Sequence, residues 1–191
     1  MERVLVVDVE ATCWKGRQSP PGERAEIIEI GLSEFDLTRM EAKPPHSLLI
    51  KPQHSKVSPF CTHLTSITPE MVAEGVIFNE ACTVLRRDYN TQEPVWCSWG
   101  KFDRRIFQQQ CRAFNVTFPF SQRHVNLKKL FAVLQHGQQA GRARQVGLMK
   151  AMIIAGLDFE GIPHRAGVDA YNTACLLGVM IERYGKAIIH A

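Results

Sequence analysis

The chain has no apolar run approaching the roughly 20 residues that a membrane-spanning helix needs. That excludes a helical membrane span, and no membrane partner is expected. Met1-Glu2-Arg3 leads into only four apolar residues before Asp8, too few for the core of a secretory signal. A cytoplasmic protein is therefore expected. No C-x-x-C pair occurs among Cys13, Cys61, Cys82, Cys97, Cys111 and Cys175. Their irregular spacing argues for scattered thiols in a reducing compartment rather than a disulfide framework. Cys61-Thr62-His63 has no second half at matching spacing, so a zinc site is not expected. Internal repeats and long low-complexity segments are also missing, which sets aside solenoids and disordered tails.

What remains is an ordinary globular composition, 45% hydrophobic and 22% charged, in 191 residues. That length fits a single domain, 1–191, and a monomer is expected. The formal net charge of +4 is compatible with a polyanionic partner without requiring one. Basic residues gather in groups: Lys101, Arg104 and Arg105 around Asp103; Lys128 and Lys129; Arg142, Arg144 and Lys150; and Arg165 beside His164. Solvated helix faces explain any one such group, whereas basic groups around acidic motifs suit a site for phosphates.

Val4-Leu5-Val6-Val7 reads as a buried strand running into Asp8-Val9-Glu10. Residues two apart on a strand point to one side, so Asp8 and Glu10 share a space. Two adjacent anions at an apolar strand end are costly unless a cation sits between them. Strands are also expected over 25–36 and 47–51, linked by short connections as an antiparallel meander. Further strands are expected at 94–99 and 124–126. Helices are expected from Thr68-Pro69-Glu70, over 78–89, 103–114 and 147–156, after the 124–126 strand, and from 167 to 184. The polar, Gly-containing stretch 136–146 reads as a mobile loop. The pattern is α/β: a mixed five-stranded sheet, part antiparallel meander and part parallel, with helices on both faces.

Asp103 follows the strand-like Val95-Trp96-Cys97-Ser98-Trp99-Gly100, near a strand's carboxyl end, where ligands bind in such sheets. Asp169 falls in the first turn of the last helix, and His164 stands just before that helix. Singly, each reads as a helix-start or turn residue. Four carboxylates converging from separate elements would repel unless cations neutralise them, and oxygen-only ligands suit Mg²⁺ or Mn²⁺. Two such ions about 3.5–4 Å apart stabilise the attacking and leaving oxygens of phosphoryl transfer. A neutral imidazole can then take a proton from water.

Asp8-Val9-Glu10-Ala11-Thr12, Ser98-Trp99-Gly100-Lys101-Phe102-Asp103 and His164-Arg165-Ala166-Gly167-Val168-Asp169-Ala170 resemble the three motifs of the DEDDh 3′→5′ exonucleases, which have the RNase H-like fold. Glu10-Ala11-Thr12-Cys13-Trp14, Phe60-Cys61-Thr62-His63-Leu64-Thr65-Ser66-Ile67 and Asn126-Leu127-Lys128 are similar to the histone-mRNA 3′-exonuclease-like subgroup. The third motif departs from that subgroup: it has one aspartate, followed by Ala170, and Ala166 stands where glycine is usual. The resemblance implies that Asp8, Glu10, Asp103 and Asp169 bind two Mg²⁺ or Mn²⁺ ions and that His164 is the general base. It implies a terminal nucleotide near Ala11, Thr12, Leu64 and Thr65, with Trp99 and Phe102 stacking or packing beside it. Single-stranded RNA or DNA 3′ ends are the implied partners. Two alternatives stay open: a nucleic-acid- or protein-binding regulatory module retaining this fold, and an RNase H-type endonuclease.

Overall fold

A computed structural model of the chain describes residues 2–136 and 145–190. Of the stretch expected to be a mobile loop, residues 137–144, including Arg142 and Arg144, lie outside the described residues.

Six strands form one sheet: β1 (Arg3–Ala11), β2 (Ile27–Asp36), β3 (Glu41–Ala42), β4 (His46–Leu49), β5 (Trp96–Ser98) and β6 (His124–Asn126). The order is β3-β2-β1-β5-β6, with β4 also on β2. Pairings of β2 with β1, β3 and β4 are antiparallel, and those of β5 with β1 and β6 are parallel. Five strands were expected, and the sheet does have five positions. The outermost is split because Pro44-Pro45, between β3 and β4, cannot donate to the ladder.

The helices are α1 (Pro59–Thr65), α2 (Pro69–Ala73), α3 (Phe78–Tyr89), α4 (Phe102–Phe114), α5 (Leu127–His136), α6 (Leu148–Ala155) and α7 (Ala166–Tyr184). Among the described residues none is long and apolar enough to cross a membrane. The periodicity does not predict α1, although its start carries the same signal as α2. Ser58 accepts from the Cys61 N–H before Pro59, as Thr68 accepts from Met71 before Pro69.

Alternation along β1 divides the core in two. Val4 and Val6 pack with Phe35 against α5, α6 and α7. Leu5, Val7 and Val9 pack with Ile30 and Leu32 against α3 and α4. Asp8 and Glu10 continue the Val4–Val6 phase and so face the α7 side. At the same end the β1–β2 register shifts. Glu10 stands opposite Glu29 but Ala11 opposite Ile27, leaving Ile28 as the extra residue of a bulge. The bulge lets Ile27 join Ile30 and Leu32, while Ile28 enters a third cluster with Val57, Cys61, Ile67 and Val72. Both isoleucines are thereby buried.

Helix α7 lies directly on β2, and its amino end touches the strand backbone. A Cβ built on Gly31 would stand 1.9 Å from the Ala166 carbonyl carbon, and one on Gly178 would stand 2.7 Å from the Phe35 ring. Only glycine at 31 permits that approach. Gly31→Ala is expected to cost about 3 kcal/mol or more in urea unfolding, because the neighbouring atoms are backbone and cannot yield. Gly147→Ala, whose methyl would meet nothing within 4 Å among the described residues, is expected to cost under about 1 kcal/mol. Equal losses in the two variants would contradict this account of the α7 contact.

Candidate active site

Asp8 and Glu10 come from the carboxyl end of β1, Asp103 from the first turn of α4, and Asp169 from the first turn of α7. Their charges meet. Burial first, and then the charges of Asp103, Glu10, Asp169 and Glu29, push the Asp8 carboxyl well above the usual range. Burial, followed by Asp169, Glu29 and Asp103, pushes Glu10 from 4.5 up to about 9, with Arg165 opposing. Asp103, 4% exposed, is raised by burial to about 6; its own backbone N–H, that of Val9 and the Ser98 hydroxyl hold it down. Val9 N–H donates to Asp103 Oδ1 at 3.2 Å, tying α4 to β1. Ser98 also meets His124 Nε2 at 2.9 Å. Burial raises Asp169 to about 6 against the His164 N–H and charge.

His164 precedes α7 and is exposed, with a left-handed φ of 63°. That conformation is uncommon for a residue with a side chain and concentrates at functional positions. The His164 N–H donates to Asp169 Oδ2 at 3.3 Å. Ligand atoms of Glu10, His164 and Asp169 all lie within 4.8 Å of one another. Asp169 Oδ1 is buried with no hydrogen-bond partner among the described residues, as is Thr173 Oγ1 one turn on. A buried carboxylate oxygen without a donor, among carboxyls that raise one another, fits a hard divalent cation.

One residue of this arrangement is not anticipated from the sequence. Glu29, fully buried, accepts from Arg165 Nε at 3.1 Å, Arg165 Nη2 at 2.8 Å and the Ala166 N–H at 2.8 Å. It thus caps α7 from a neighbouring strand and pairs the arginine beside His164. Its signal was a lone acid in Ile27-Ile28-Glu29-Ile30, since a charge on a buried strand needs a partner.

Beside the acids opens a cavity of about 860 Å³. Glu10, Ala11 and Thr12 line it with Leu64 and Phe102, all expected there. Leu64 is 38% and Phe102 45% exposed, free to meet a ligand. Phe60, Trp14 and Arg24 also line it. The Thr12 hydroxyl is engaged by Ser55 Oγ and the Glu26 N–H, both at 2.9 Å. Two expected contacts are not brought to this wall. Thr65 is buried, donating to the Cys61 carbonyl and accepting from the Ile67 N–H, so it closes α1. Trp99 packs on Phe131 with ring centroids 5.8 Å apart, and its Nε1 donates to the Val146 carbonyl.

A cluster of carboxylates at the carboxyl ends of parallel strands, with a histidine beside it and an apolar cavity alongside, is an arrangement suited to metal-assisted hydrolysis, on an RNase H-like fold. The chain belongs to the RNase_T exonuclease family, whose model matches residues 5–177. It is 27% identical over 181 residues to "Probable 3'-5' exonuclease KapD" of Bacillus subtilis, a match covering 94% of this chain and 84% of that protein. It is 26% identical to "ERI1 exoribonuclease 2" of Xenopus laevis over 94% of this chain but only 28% of that one. The fold is shared with the nuclease domain of 3'hExo, a DEDDh family member bound to rAMP (TM-score 0.83, 21% identity, covering 97% of this chain and 94% of that chain). The family and relatives together make this chain an exonuclease, and its fold is that of a DEDDh family member.

Two outcomes follow from the charges. Folded Glu10, Asp103 and Asp169 hold protons that the unfolded chain releases at lower pH, so without metal stability falls as pH rises from about 4 through about 9. Thermal melts in EDTA should show that fall, and Mn²⁺ should raise the melting temperature more at pH 8 than at pH 5. A flat EDTA profile would contradict the clustering. Arg165→Ala strands the Glu29 charge and should cost about 3–5 kcal/mol in urea unfolding.

Proposed function

We propose that this exonuclease removes nucleotides one at a time from the 3′ end of single-stranded RNA or DNA, releasing nucleoside 5′-monophosphates. The observation that carries the reading is the position of Glu10, which belongs both to the acid cluster and to the wall of the apolar cavity. A terminal nucleotide whose base lies among Trp14, Phe60, Leu64 and Phe102 has its phosphodiester at the acids. Base stacking on aromatic side chains is tolerant of sequence, which suits an enzyme that consumes a strand. Such a cavity also suits a chain end better than a duplex interior, favouring an exonuclease over an internal cutter.

Asp8, Glu10, Asp103 and Asp169 would hold two divalent ions, Mg²⁺ or Mn²⁺. Bound there, the ions would neutralise charge developing on the scissile phosphate. His164 takes a proton from the attacking water, and its left-handed backbone and N–H bond to Asp169 support that placement. The water oxygen bonds to phosphorus while the bond to the upstream O3′ breaks, leaving a new 3′-hydroxyl. Glu29 and Arg165 act through His164 and Asp169 by fixing the start of α7.

A 5′-labelled single strand incubated with Mg²⁺ or Mn²⁺ should give a ladder shortening from the 3′ end, abolished by EDTA and by Asp8→Ala. His164→Ala should lower kcat by about 10²–10⁴ with KM little changed. Cutting of a circular single strand, or wild-type activity in Asp8→Ala, would overturn the reading. Matched RNA and DNA strands in the same assay assign the sugar preference.

A further inference from the structure

A second cavity, of about 740 Å³, lies between α4 and α5 over β6, outside the acid cluster and the apolar cavity. Lys101, Arg104 and Arg105 line one side and Lys129 the other, with His124 and Asn126 at the base. No acid lines it, and none of the four cations forms a salt bridge among the described residues. Its histidine adds no charge near neutrality. Burial and then the nearby Arg104 charge push His124 down to about 4. Four unpaired cations in one concave surface repel one another, an arrangement that an anionic ligand relieves.

The groove adjoins the proposed substrate site. Arg105 lies over the Phe102 ring, 5.9 Å from its centroid. Phe102 lines the apolar cavity while Arg105 lines the basic one, so this pair is their common wall. Arg104 follows Asp103 directly in sequence. A strand with its terminal base on one side of Phe102 and its last phosphodiester at the acids has its next phosphates beside Arg105.

We propose that the α4–α5 groove is the track for the phosphodiester backbone of the same strand, 5′ of the nucleotide being removed. This rests on the exonuclease reading above. Contacts to phosphate carry no base information, so the groove adds affinity and register but no sequence preference.

The test uses single strands of two to about twelve nucleotides with the wild-type chain and with Lys101→Ala/Lys129→Ala, both exposed side chains. In the wild type, KM is expected to fall by at least about tenfold as the strand lengthens, as more phosphates are neutralised. The double variant flattens that dependence. Anisotropy of a labelled 12-mer in EDTA should show the slope of log K against log salt reduced by about 1.4, at ~0.7 for each phosphate that the variant leaves unneutralised. Melting temperature confirms that the variant is folded. A variant that keeps the wild-type length dependence and salt slope overturns the groove and leaves the exonuclease reading standing. A wild type that shortens no strand overturns that reading itself, while the EDTA binding slopes still judge the groove.

Discussion

The start of α7 is held to the sheet by Glu29. This carboxylate, buried in β2, takes two bonds from Arg165 and one from the Ala166 N–H, doing for α7 what an N-cap side chain does for other helices. Next to it, Gly31 removes the side chain that would otherwise hold the helix away. His164 and Asp169 flank this clasp in sequence, and Asp8 pairs with Gly31 across the β1–β2 ladder. Asp169 is thus held beside the β1 acids by one ion pair and one missing methyl. A buried ion pair adds little net stability, but with one partner gone it leaves an uncompensated charge. Its role here is to fix position.

Around this clasp the fold assembles a charge arrangement that it cannot by itself satisfy. Val4, Val6 and the apolar face of α7 exclude water from one side of β1, and the same face then presents Asp8 and Glu10. Desolvation leads the causes that raise all four carboxyls; repulsion from neighbouring acids adds to it, from Glu29 alone in the case of Asp169. Val9, Ser98 and His164 offset part of it for Asp103 and Asp169, but Asp169 Oδ1 is left without a donor. Such an arrangement costs stability, and a doubly charged cation would relieve it. Beyond the acids the surface changes character twice, to apolar at Phe102 and Leu64, then to basic at Arg105. A nucleotide chain has the same sequence of needs: cations at the scissile phosphate, a flat apolar wall for a base, positive charge along the backbone.

The cluster acids were legible because each sits at a recognisable local position: a strand end for Asp8 and Glu10, first helical turns for Asp103 and Asp169. The residues expected to line the cavity were legible only in part. Leu64 and Phe102 reach the cavity, but Thr65 and Trp99 do not. Those two types serve equally well in binding and in packing, and spacing does not decide between them. Thr65 lies on the buried side of α1, a helix too short to show periodicity, and Trp99 turns toward Phe131. Glu29 was visible as an acid among isoleucines, yet its partner lies 136 residues away.

The sequence by itself determined the order of the main strands and helices, though not α1 or β3, the shared face of Asp8 and Glu10, and the residue types able to hold hard cations. These follow from local rules: the period of two along a strand, the capping of helix starts, and the cost of like charges together. The tertiary structure decided what depends on contact between distant segments. It placed a bulge at Ile28, gave Glu29 to Arg165 and set Phe102 between two cavities. No local pattern encodes those outcomes, because each is settled by which surfaces meet once α7 and α4 close on the sheet.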